Sequence, residues 1–350
     1  MPFRPADAEL ATLPSDAAGG GAAGADTALL DPSSLQTQLE QYRRELTGYC
    51  YRMLGSGSEA EDAVQETMVR AWRGLDRFEG RAALRSWLYR IATNVCLDML
   101  RGPQRRARPM DLGPSSPASA SLDGGLGEHA WVRPVHDDRV IATDGDPAEV
   151  AAARETIRLA FVAALQVLPP RQRAVLLLRE VLRWQATEVA ELLDTSVASV
   201  NSALQRARAT LAERDLDDQQ VSPVDEAQEA LLARYVDAFE RYDIDQIVEL
   251  LHEDVVQSMP PFELWLQGKQ DVGDWFLGTG IGCKGARLVP TQANGRPAFG
   301  SYRVAGPGEW RPFSICIVDV VDDRIVGLHN FLYPELFAEF GLPDRLTDRD

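Results

Sequence analysis

Residues Trp184 to Leu211 read WQATEVAELLDTSVASVNSALQRARATL, and the architecture of the chain can be worked out from this segment. Apolar residues recur at steps of three and four on both sides of a break at Asp194–Ser196, which predicts two helices joined by a tight turn. Ser196 is a suitable N-cap for the second helix, because its hydroxyl can accept a hydrogen bond from an otherwise unpaired backbone N–H. The pattern therefore predicts a helix-turn-helix motif.

The outer face of the second helix carries short or hydrogen-bonding side chains and no acid, as contact with base edges in a DNA major groove requires. These residues are Ser196, Ala198, Ser199, Asn201, Ser202, Gln205 and Arg206. The predicted inner face consists of Val197, Val200, Leu204, Ala207 and Leu211. For this window alone, an ordinary pair of helices with a solvated face is the alternative. The preceding segment Leu168–Arg179, with a helix begun at Pro170, favours a compact four-helix DNA-reading module.

On these residues, Leu168–Leu211 resembles region 4 of the extracytoplasmic-function sigma factors, a branch of the sigma-70 family. The resemblance implies that the second helix reads the −35 element of a promoter. Asp194 departs from the family pattern, because such turns usually carry Gly. Asp tolerates the left-handed backbone conformation better than most residues, so the turn is still expected.

A second motif lies in the predicted helix Glu59–Leu75, for which Ser58 is the expected cap. Its expected inner side consists of Ala60, Ala63, Val64, Met68, Ala71 and Trp72. The run Asp62–Thr67 resembles the Asp-x-x-Gln-Glu signature of sigma region 2.2. The resemblance implies that Asp62, Gln65 and Glu66 bind the clamp helices of core RNA polymerase, and such a patch suits a basic partner helix. Taken alone, the pattern also fits a solvated face with acids near a helix N-terminus.

Arginine is interleaved with aromatic residues between Arg77 and Arg101, which is the composition of a single-strand nucleic-acid binder. The segment resembles sigma regions 2.3 and 2.4, which open the −10 element and hold an unstacked base. The residues that this resemblance assigns to −10 DNA are Phe78, Arg85, Ser86, Trp87, Arg90, Asn94 and Arg101. The predicted core stripe of the helix is Leu84, Leu88, Ile91, Val95 and Met99. For Trp87 and Tyr89, simple burial in the core is the alternative.

The net charge of −17 is unevenly distributed along the chain. Residues 73–108 hold 9 Arg against 3 acidic residues, whereas residues 215–350 hold 11 basic against 25 acidic residues. Attraction to phosphate is screened over about 8–10 Å, so local charge decides where DNA binds. The acidic C-terminal part predicts weak DNA binding by the protein alone.

Four widely spaced cysteines and four scattered histidines predict no metal site and no cofactor. The absence of a signal peptide and of a long apolar run predicts a cytoplasmic protein. Residues 102–147 are rich in Pro, Ser, Gly and Asp, which predicts an unstructured acidic tether. The resemblance implies that this tether enters the active-site cleft and RNA exit channel of core polymerase.

Residues 226–340 read as helices followed by a meander of strands, which predicts an α+β cone. The predicted strands are 259–266, 298–304, 313–321 and 324–331. The segment Tyr242–Val255, followed by Gly and an amphipathic helix, resembles the SnoaL-like domain, which is akin to ketosteroid isomerase. The resemblance implies an apolar pocket, with candidate lining residues Trp265, Trp275, Phe276, Phe299, Tyr302, Trp310, His252 and His329.

The chain is thus identified as a member of the extracytoplasmic-function sigma factors that carry a C-terminal SnoaL-like domain. The expected fold is multidomain: two all-α sigma domains, a region 2 helical bundle and a region 4 helix-turn-helix, precede the cone. The expected boundaries are a disordered leader (1–33), region 2 (34–107), an acidic linker (108–148), region 4 (149–214), a connector (215–225), the SnoaL-like domain (226–340) and a tail (341–350).

This identification implies a sigma initiation factor that is not an enzyme. Its implied partners are core RNA polymerase (clamp helices and flap) and promoter DNA, and its cone is expected to modulate activity, in place of a separate anti-sigma factor or through a small ligand. One rival is a polymerase-independent regulator with a ligand-sensing C-terminal domain. Another is a cyclase or isomerase fused to a DNA-binding arm, with His252, Asp254 or His329 as the base. His252 and Asp254 are instead expected to satisfy a helix-to-strand turn.

Overall fold

The computed structural model describes residues 32–75, 78, 84–102, 106–141, 146–213 and 226–348. The chain divides into two units, Met1–Tyr42 and Arg43–Asp350. The described part of the first unit is helix α1 (Pro32–Gln41), which begins two residues before its predicted start. The rest of the predicted leader, the connector 215–225 and the loop around Gly80 lie outside the described residues.

The first helical module of the second unit contains three helices: α2 (Arg43–Leu54), α3 (Gly57–Gly74) and α4 (Leu84–Met99). Helix α3 begins where Ser56, in an extended conformation, accepts a hydrogen bond from the backbone N–H of Glu59. The prediction of Ser58 as the cap is therefore wrong. Trp72 and Met99, both predicted to be core residues, are 49 % and 42 % exposed. Each lies in the last turn of its helix, where the apolar periodicity continues but packing against the neighbouring helices does not.

The linker, residues 106–141, is ordered, so the prediction of an unstructured tether is wrong. It contains three short 3₁₀ turns, and Ala107 pairs with Trp131 as an isolated β-bridge. Its C-terminal half buries apolar side chains: Trp131, Val132, Val135, Val140 and Ile141. These residues follow neither a helical nor a strand period, so periodicity could not reveal that they are buried.

The second helical module contains five helices: α5 (Pro147–Glu155), α6 (Leu159–Gln166), α7 (Pro170–Leu176), α8 (Ala186–Leu192) and α9 (Val197–Ala212). A π-helical turn, Leu177–Val181, follows α7. A short break separates α5 from α6. At the break, the extended backbone of Arg158 starts α6, and the carbonyl of Ile157 is free to accept a hydrogen bond from outside the module.

The cone domain, residues 226–348, confirms the expected α+β fold. Its helices are α10 (Glu226–Arg241), α11 (Ile244–Leu250), α12 (Lys269–Leu277) and α13 (Leu336–Glu339). Its strands are β1 (Leu251–Ser258), β2 (Trp265–Gln267), β3 (Arg287–Ala293), β4 (Arg296–Gly306), β5 (Glu309–Val321), β6 (Arg324–Phe331) and β7 (Leu346–Thr347). They form one sheet in the order β2-β1-β6-β5-β4-β3, with β7 paired to β5. Only β1 and β6 are parallel among these described strands.

The two faces of this sheet have different neighbours. Helices α10, α11 and α12 pack on one face and enclose the apolar core of the cone. On the other face, Tyr302 packs edge-on against Phe337 of α13, and at the β3 edge of the sheet Ala293 forms a β-bridge with His136 of the linker. The linker contacts the cone at the β3 edge and also beside the cone's core, through Ala118, Ala120 and Leu122.

Two strand predictions for the cone need correction. Of the strand expected over 259–266, only residues 265 and 266 are in a strand, β2. The strand β1 ends at Ser258, and Pro260 and Pro261, which have no N–H to donate, lie in the turn that follows. Strand β3 and the turn Asn294–Gly295 after it were not predicted. The β5–β6 hairpin with its turn at Asp322–Asp323 is confirmed. Within the described ranges, no helix is long and apolar enough to cross a membrane.

Candidate DNA and polymerase interfaces

Helix α9 presents its predicted DNA face to solvent. The turn before it places Asp194 in the left-handed region with φ 49°, and Ser196 caps the helix by accepting a hydrogen bond from Ser199 N at 3.1 Å. All seven residues predicted to contact −35 DNA are exposed: Ser196, Ala198, Ser199, Asn201, Ser202, Gln205 and Arg206. Of the predicted inner face, Val200, Leu204 and Ala207 are buried, whereas Val197 in the first turn is 38 % exposed and was wrongly assigned to it.

The three residues predicted to bind polymerase lie on α3. Asp62 and Gln65 are exposed, and Glu66 is half-buried beside Arg70, whose Nε lies 2.7 Å from Glu66 Oε1. Val69 and Trp72 are also exposed. Since residues 62, 65, 69 and 72 recur at steps of three and four, they share one helix face. This face of α3 is thus polar at one end and apolar at the other. The periodicity assigned Trp72 to the core and therefore did not reveal the apolar end of this exposed face.

Some of the residues predicted to bind −10 DNA are exposed, and others contact protein groups. Asn94 is exposed, and Arg101 is exposed with its guanidinium 2.9 Å from Asp98 Oδ1. Ser86 is half-buried, and Trp87 is half-buried with its ring 4.9 Å from that of Phe78. These residues lie along one module, but the structure does not leave all of them open to a nucleic acid.

Arg85 and Arg90 are engaged by other protein groups. Arg85 forms a salt bridge with Glu45, and its guanidinium lies 5.6 Å from the ring centre of Trp184. The Nη2 of Arg90 donates a hydrogen bond to the backbone carbonyl of Glu191 in α8. Tyr89 packs edge-on against Trp184, with ring centres 5.1 Å apart. The face of α4 that bears these arginines therefore lies against the second helical module.

The junction between the two helical modules buries two arginines. Arg52 of α2 donates to the carbonyl and the hydroxyl of Thr156, and burial lowers the pKa of Arg52 to about 10. Arg173 of α7 donates to the carbonyl of Met53 and to the side chain of Gln166. Gln166 in turn donates to the carbonyl of Arg52. Since a buried charge is costly unless it is fully hydrogen-bonded, this network ties the modules together in one specific arrangement.

The turn between β3 and β4 inserts into the same junction. Asn294, with φ 55° and no solvent exposure, donates from Nδ2 to the hydroxyl of Tyr51 and to the carbonyl of Ile157, both at 2.6 Å. Its Oδ1 accepts from the backbone N–H of Val135 at 3.1 Å. One side chain of the cone thus contacts the first module, the linker and the second module.

The residues beside Asn294 complete this contact. The backbone N–H of Gly295 donates to Asp137 of the linker at 2.8 Å, and burial raises the pKa of Asp137 to about 6. Gly295 has φ 73°, and a Cβ at this position would meet Arg154 at 3.0 Å, so only Gly fits without strain. The sequence held a readable signal for this site, because Asn-Gly between two strands is a strong indicator of a hairpin.

The linker is held at both ends of its described path. Arg106 forms a salt bridge with Glu59 of α3, and Arg133 lies over the ring of Tyr333 and 3.4 Å from Glu335 in the cone. Further along the cone, Trp265 donates from Nε1 to the carbonyl of Gly113 at 3.0 Å. The linker therefore contacts the first module at Arg106 and the cone at Gly113 and Arg133.

A small cavity in the cone has a lining that differs from the prediction. Of the eight candidates, Trp275 and Phe276 line it. His252 is exposed at the start of β1, and its Nδ1 accepts a hydrogen bond from the backbone N–H of Asp254. His329 lies away from the cavity, between Ser258 and Asp319 at 2.9 and 3.1 Å.

The remaining candidates, Trp265, Phe299, Tyr302 and Trp310, are not among the lining residues either. Tyr302 and His329 do not line the cavity because neighbouring residues of a strand point to opposite faces of the sheet, and these two point away from the cavity. Among the described residues, no group of three or more His, Cys, Asp or Glu side chains could hold a metal ion.

An open, acid-free recognition helix in one module and an arginine- and aromatic-bearing helix in another define a nucleic-acid-binding protein built from two helical modules and a cone. Comparison with known families agrees with this division. Residues 39–106 match Sigma-70 region 2, residues 158–211 match Sigma-70, region 4, and residues 232–328 match the SnoaL-like domain.

Similar proteins cover most of the chain. It is 45 % identical over 312 residues to the ECF RNA polymerase sigma factor SigG of Mycobacterium tuberculosis, which spans 88 % of this chain and 83 % of that protein. It is 27 % identical over 328 residues to SigJ of the same species, spanning 88 % and 95 %. The crystal structure of Mycobacterium tuberculosis SigJ shares the fold, with a TM-score of 0.55 at 23 % identity over 88 % of this chain and 100 % of that one. This chain belongs to the extracytoplasmic-function RNA polymerase sigma factors.

Proposed function

We propose that this chain directs core RNA polymerase to promoters with −10 and −35 elements, and that the described arrangement is a restrained state of that factor. The observation that carries this proposal is the contact of α4 with the second helical module. Arg85 and Arg90, two cations that the −10 strand requires, are occupied by Glu45, Trp184 and the carbonyl of Glu191.

Promoter recognition at −35 is assigned to α9. Its exposed face offers hydroxyl and amide groups, together with Arg206, in the arrangement that a helix uses to contact base edges in a major groove. Nothing in the described part of the chain has to move before this face can meet DNA.

Melting and holding of the −10 strand are assigned to α4 and Phe78. Guanidinium groups would bind phosphates, and the paired rings of Phe78 and Trp87 would stack with an extruded base. On this proposal the second module separates from α4, because Arg85 lies against Trp184 and α8 packs beside Arg90.

Polymerase binding is assigned to the exposed face of α3. Asp62, Gln65 and Glu66 supply acceptors for a basic partner helix, and Val69 and Trp72 supply apolar area beside them. An interface that combines buried apolar area with charged hydrogen bonds has the usual anatomy of a protein–protein contact.

The cone is assigned a restraining role. Its Asn294 bridges both helical modules and the linker, so a separation of the modules breaks hydrogen bonds that the cone supplies. The four cysteines of the chain are buried and unpaired, so no disulfide locks this arrangement.

Run-off transcription with purified core polymerase tests both parts of the proposal. We expect the full chain to form a complex with core and to transcribe less than a chain that ends at residue 225, because the shorter chain lacks the restraint. Equal transcription by the two chains would contradict the restraining role of the cone. Failure of both chains to bind core would contradict the assignment as an initiation factor.

A further inference from the structure

Arg85 and Arg90 differ in the origin of the groups that hold them. The partner of Arg90 is the carbonyl of Glu191, which belongs to the second helical module. Arg85 also meets that module, through Trp184, but its salt-bridge partner is Glu45 of α2. Helices α2 and α4 belong to the same module. Separation of the two modules therefore frees Arg90 and leaves the pair of Arg85 and Glu45 in place.

A single carboxylate oxygen of Glu45 accepts three hydrogen bonds. Its Oε1 accepts from Nε of Arg85 at 2.8 Å, from Nη2 of the same guanidinium, and from the hydroxyl of Tyr89 at 2.9 Å. Tyr89 is fixed in turn, because it has no solvent exposure and packs edge-on against Tyr49, with ring centres 5.1 Å apart. Isolated surface ion pairs contribute little, but a pair held in a network with good geometry contributes more. The pair is therefore a fixed part of the first module.

The edge of the guanidinium that Glu45 occupies is one that a phosphate would use. Arginine binds carboxylates and phosphates through the same parallel N–H donors. Both Nε and Nη2 of Arg85 donate to Glu45, so a phosphate reaches these donors only by displacing the carboxylate. The side chain of Arg85 is 41 % exposed and that of Glu45 is 33 % exposed, so the pair is accessible for such an exchange.

We propose that Glu45 competes with the −10 strand for Arg85 and thereby limits the number of phosphates that α4 binds. Glu45 acts through Arg85 and is a positioning residue, since it does not itself contact the strand. The inference rests on the proposed function, in which α4 holds the −10 strand, and deepens it. It adds a control within the first module that persists after the second module has separated.

The salt dependence of single-strand binding counts phosphate contacts and tests this proposal. The full-length chain can be titrated with fluorescent oligothymidylate at several salt concentrations, with anisotropy as the readout. We expect Glu45→Gln to bind about tenfold more tightly at low salt, which is roughly the effect of one charge-assisted hydrogen bond. The slope of log affinity against log salt should steepen by about 0.7, the value of one additional phosphate contact on a single strand. Easier separation of the modules alone would raise the affinity without changing the slope, because the bound state would be the same.

Two further variants separate this effect from a change of net charge. Glu45→Asp keeps the charge but shortens the side chain, so it weakens the contact with Arg85 and should also steepen the slope, by a smaller amount. Glu309→Gln is the matched control, because Glu309 accepts from Arg311 at 2.7 Å and its loss frees an arginine of the cone rather than of α4. Glu309→Gln should leave the slope unchanged.

The double variant Glu45→Gln/Arg85→Ala tests whether Glu45 acts through Arg85. In the Arg85→Ala chain, Glu45→Gln should not steepen the slope. Unchanged slopes in both Glu45→Gln and Glu45→Asp would overturn the proposal, and so would equal steepening with and without Arg85. In either case the chains still bind the strand, so the −10 role of α4 would stand. Failure of every chain to bind oligothymidylate would instead contradict that role and this proposal with it.

Discussion

The two predicted DNA faces of this chain differ in what covers them. The −35 face of α9 is exposed along its whole length, whereas the −10 face of α4 gives Arg85 and Arg90 to contacts with other parts of the protein. Under the proposed function, the restraint is therefore selective. It occupies the module that must melt DNA and leaves the module that reads duplex DNA available.

The selectivity has a simple geometric cause. Helix α8 contacts α4, while α9 packs on α7 and α8 and points its polar face away from them. The hairpin turn at Asn294 reaches the junction at Tyr51 and Ile157, and none of its hydrogen bonds involves α9. The hairpin turn at Asn294 can therefore control access to α4 without contacting α9.

The largest expected effect comes from removal of the Asn294 side chain. Asn294→Gly keeps a residue that accepts positive φ but deletes three buried hydrogen bonds, worth about 1 kcal/mol each. We call the described arrangement, in which the second module lies against α4, the closed state, and the arrangement with separated modules the open state. The closed state should lose about 3 kcal/mol of stability relative to the open state, or roughly 100-fold in the equilibrium between them. Binding of single-stranded −10 DNA should therefore strengthen markedly, whereas binding of a −35 duplex should stay the same.

The control for this variant is Asp322→Gly. Asp322 also has positive φ in a hairpin turn, at 52°, but is exposed and forms part of the β5–β6 turn. It should leave both affinities unchanged. If Asn294→Gly strengthened −35 binding as much as −10 binding, the restraint would not be selective.

A smaller effect is expected from pH, through Asp137. In the closed arrangement burial raises the pKa of Asp137 from 3.8 to about 6, so the closed state binds the proton more tightly than the open state. The contribution of Asp137 to closure should grow as pH falls from 7 to 5, by about 1 kcal/mol, and −10 binding should weaken accordingly. Above pH 6 this contribution is lost.

Asp137→Asn tests whether Asp137 causes this weakening of −10 binding at low pH. An amide keeps the oxygen that accepts from Gly295 but carries no titrating proton. Burial lowers the pKa of the nearby His136, which acts in the opposite direction over the same range. The prediction therefore concerns the difference between the wild type and Asp137→Asn, measured as −10 affinity between pH 5 and 7. Asp254→Asn, an exposed carboxylate of the cone that is not among the charges acting on Asp137 or His136, should behave as the wild type does. Identical pH profiles for Asp137→Asn and the wild type would contradict the assignment.

The two predicted DNA faces also differ in how much of their structure could be predicted from the sequence. The α9 face was predictable because its determinants are local: the cap at Ser196, the left-handed Asp194 and the apolar spacing of Val200 and Leu204. The positions of the candidate residues on α4 could be predicted, but their contacts with other parts of the protein could not. The contact of Arg90 with Glu191 joins residues that are 101 positions apart, and no local pattern encodes it.

The linker and Asn294 were missed for related reasons. Trp131 and Val135 are buried without any helical or strand period, so their burial depends on surfaces that distant segments provide. The Asn-Gly pair indicated a turn, but only the folded chain shows that this turn meets Tyr51 and Ile157. Local structure followed from the sequence, and the interfaces between domains did not.

The most direct test is a distance between the two helical modules in the full chain. Because the four native cysteines are buried, spin labels at Arg73→Cys in α3 and Thr187→Cys in α8, both exposed positions, would report on separation alone. Pulsed electron resonance should give one narrow distance for the otherwise unmodified chain. It should give a longer, broader distribution when Asn294→Gly is added. An unchanged narrow distance in the Asn294→Gly chain would contradict the claim that the cone holds the modules closed.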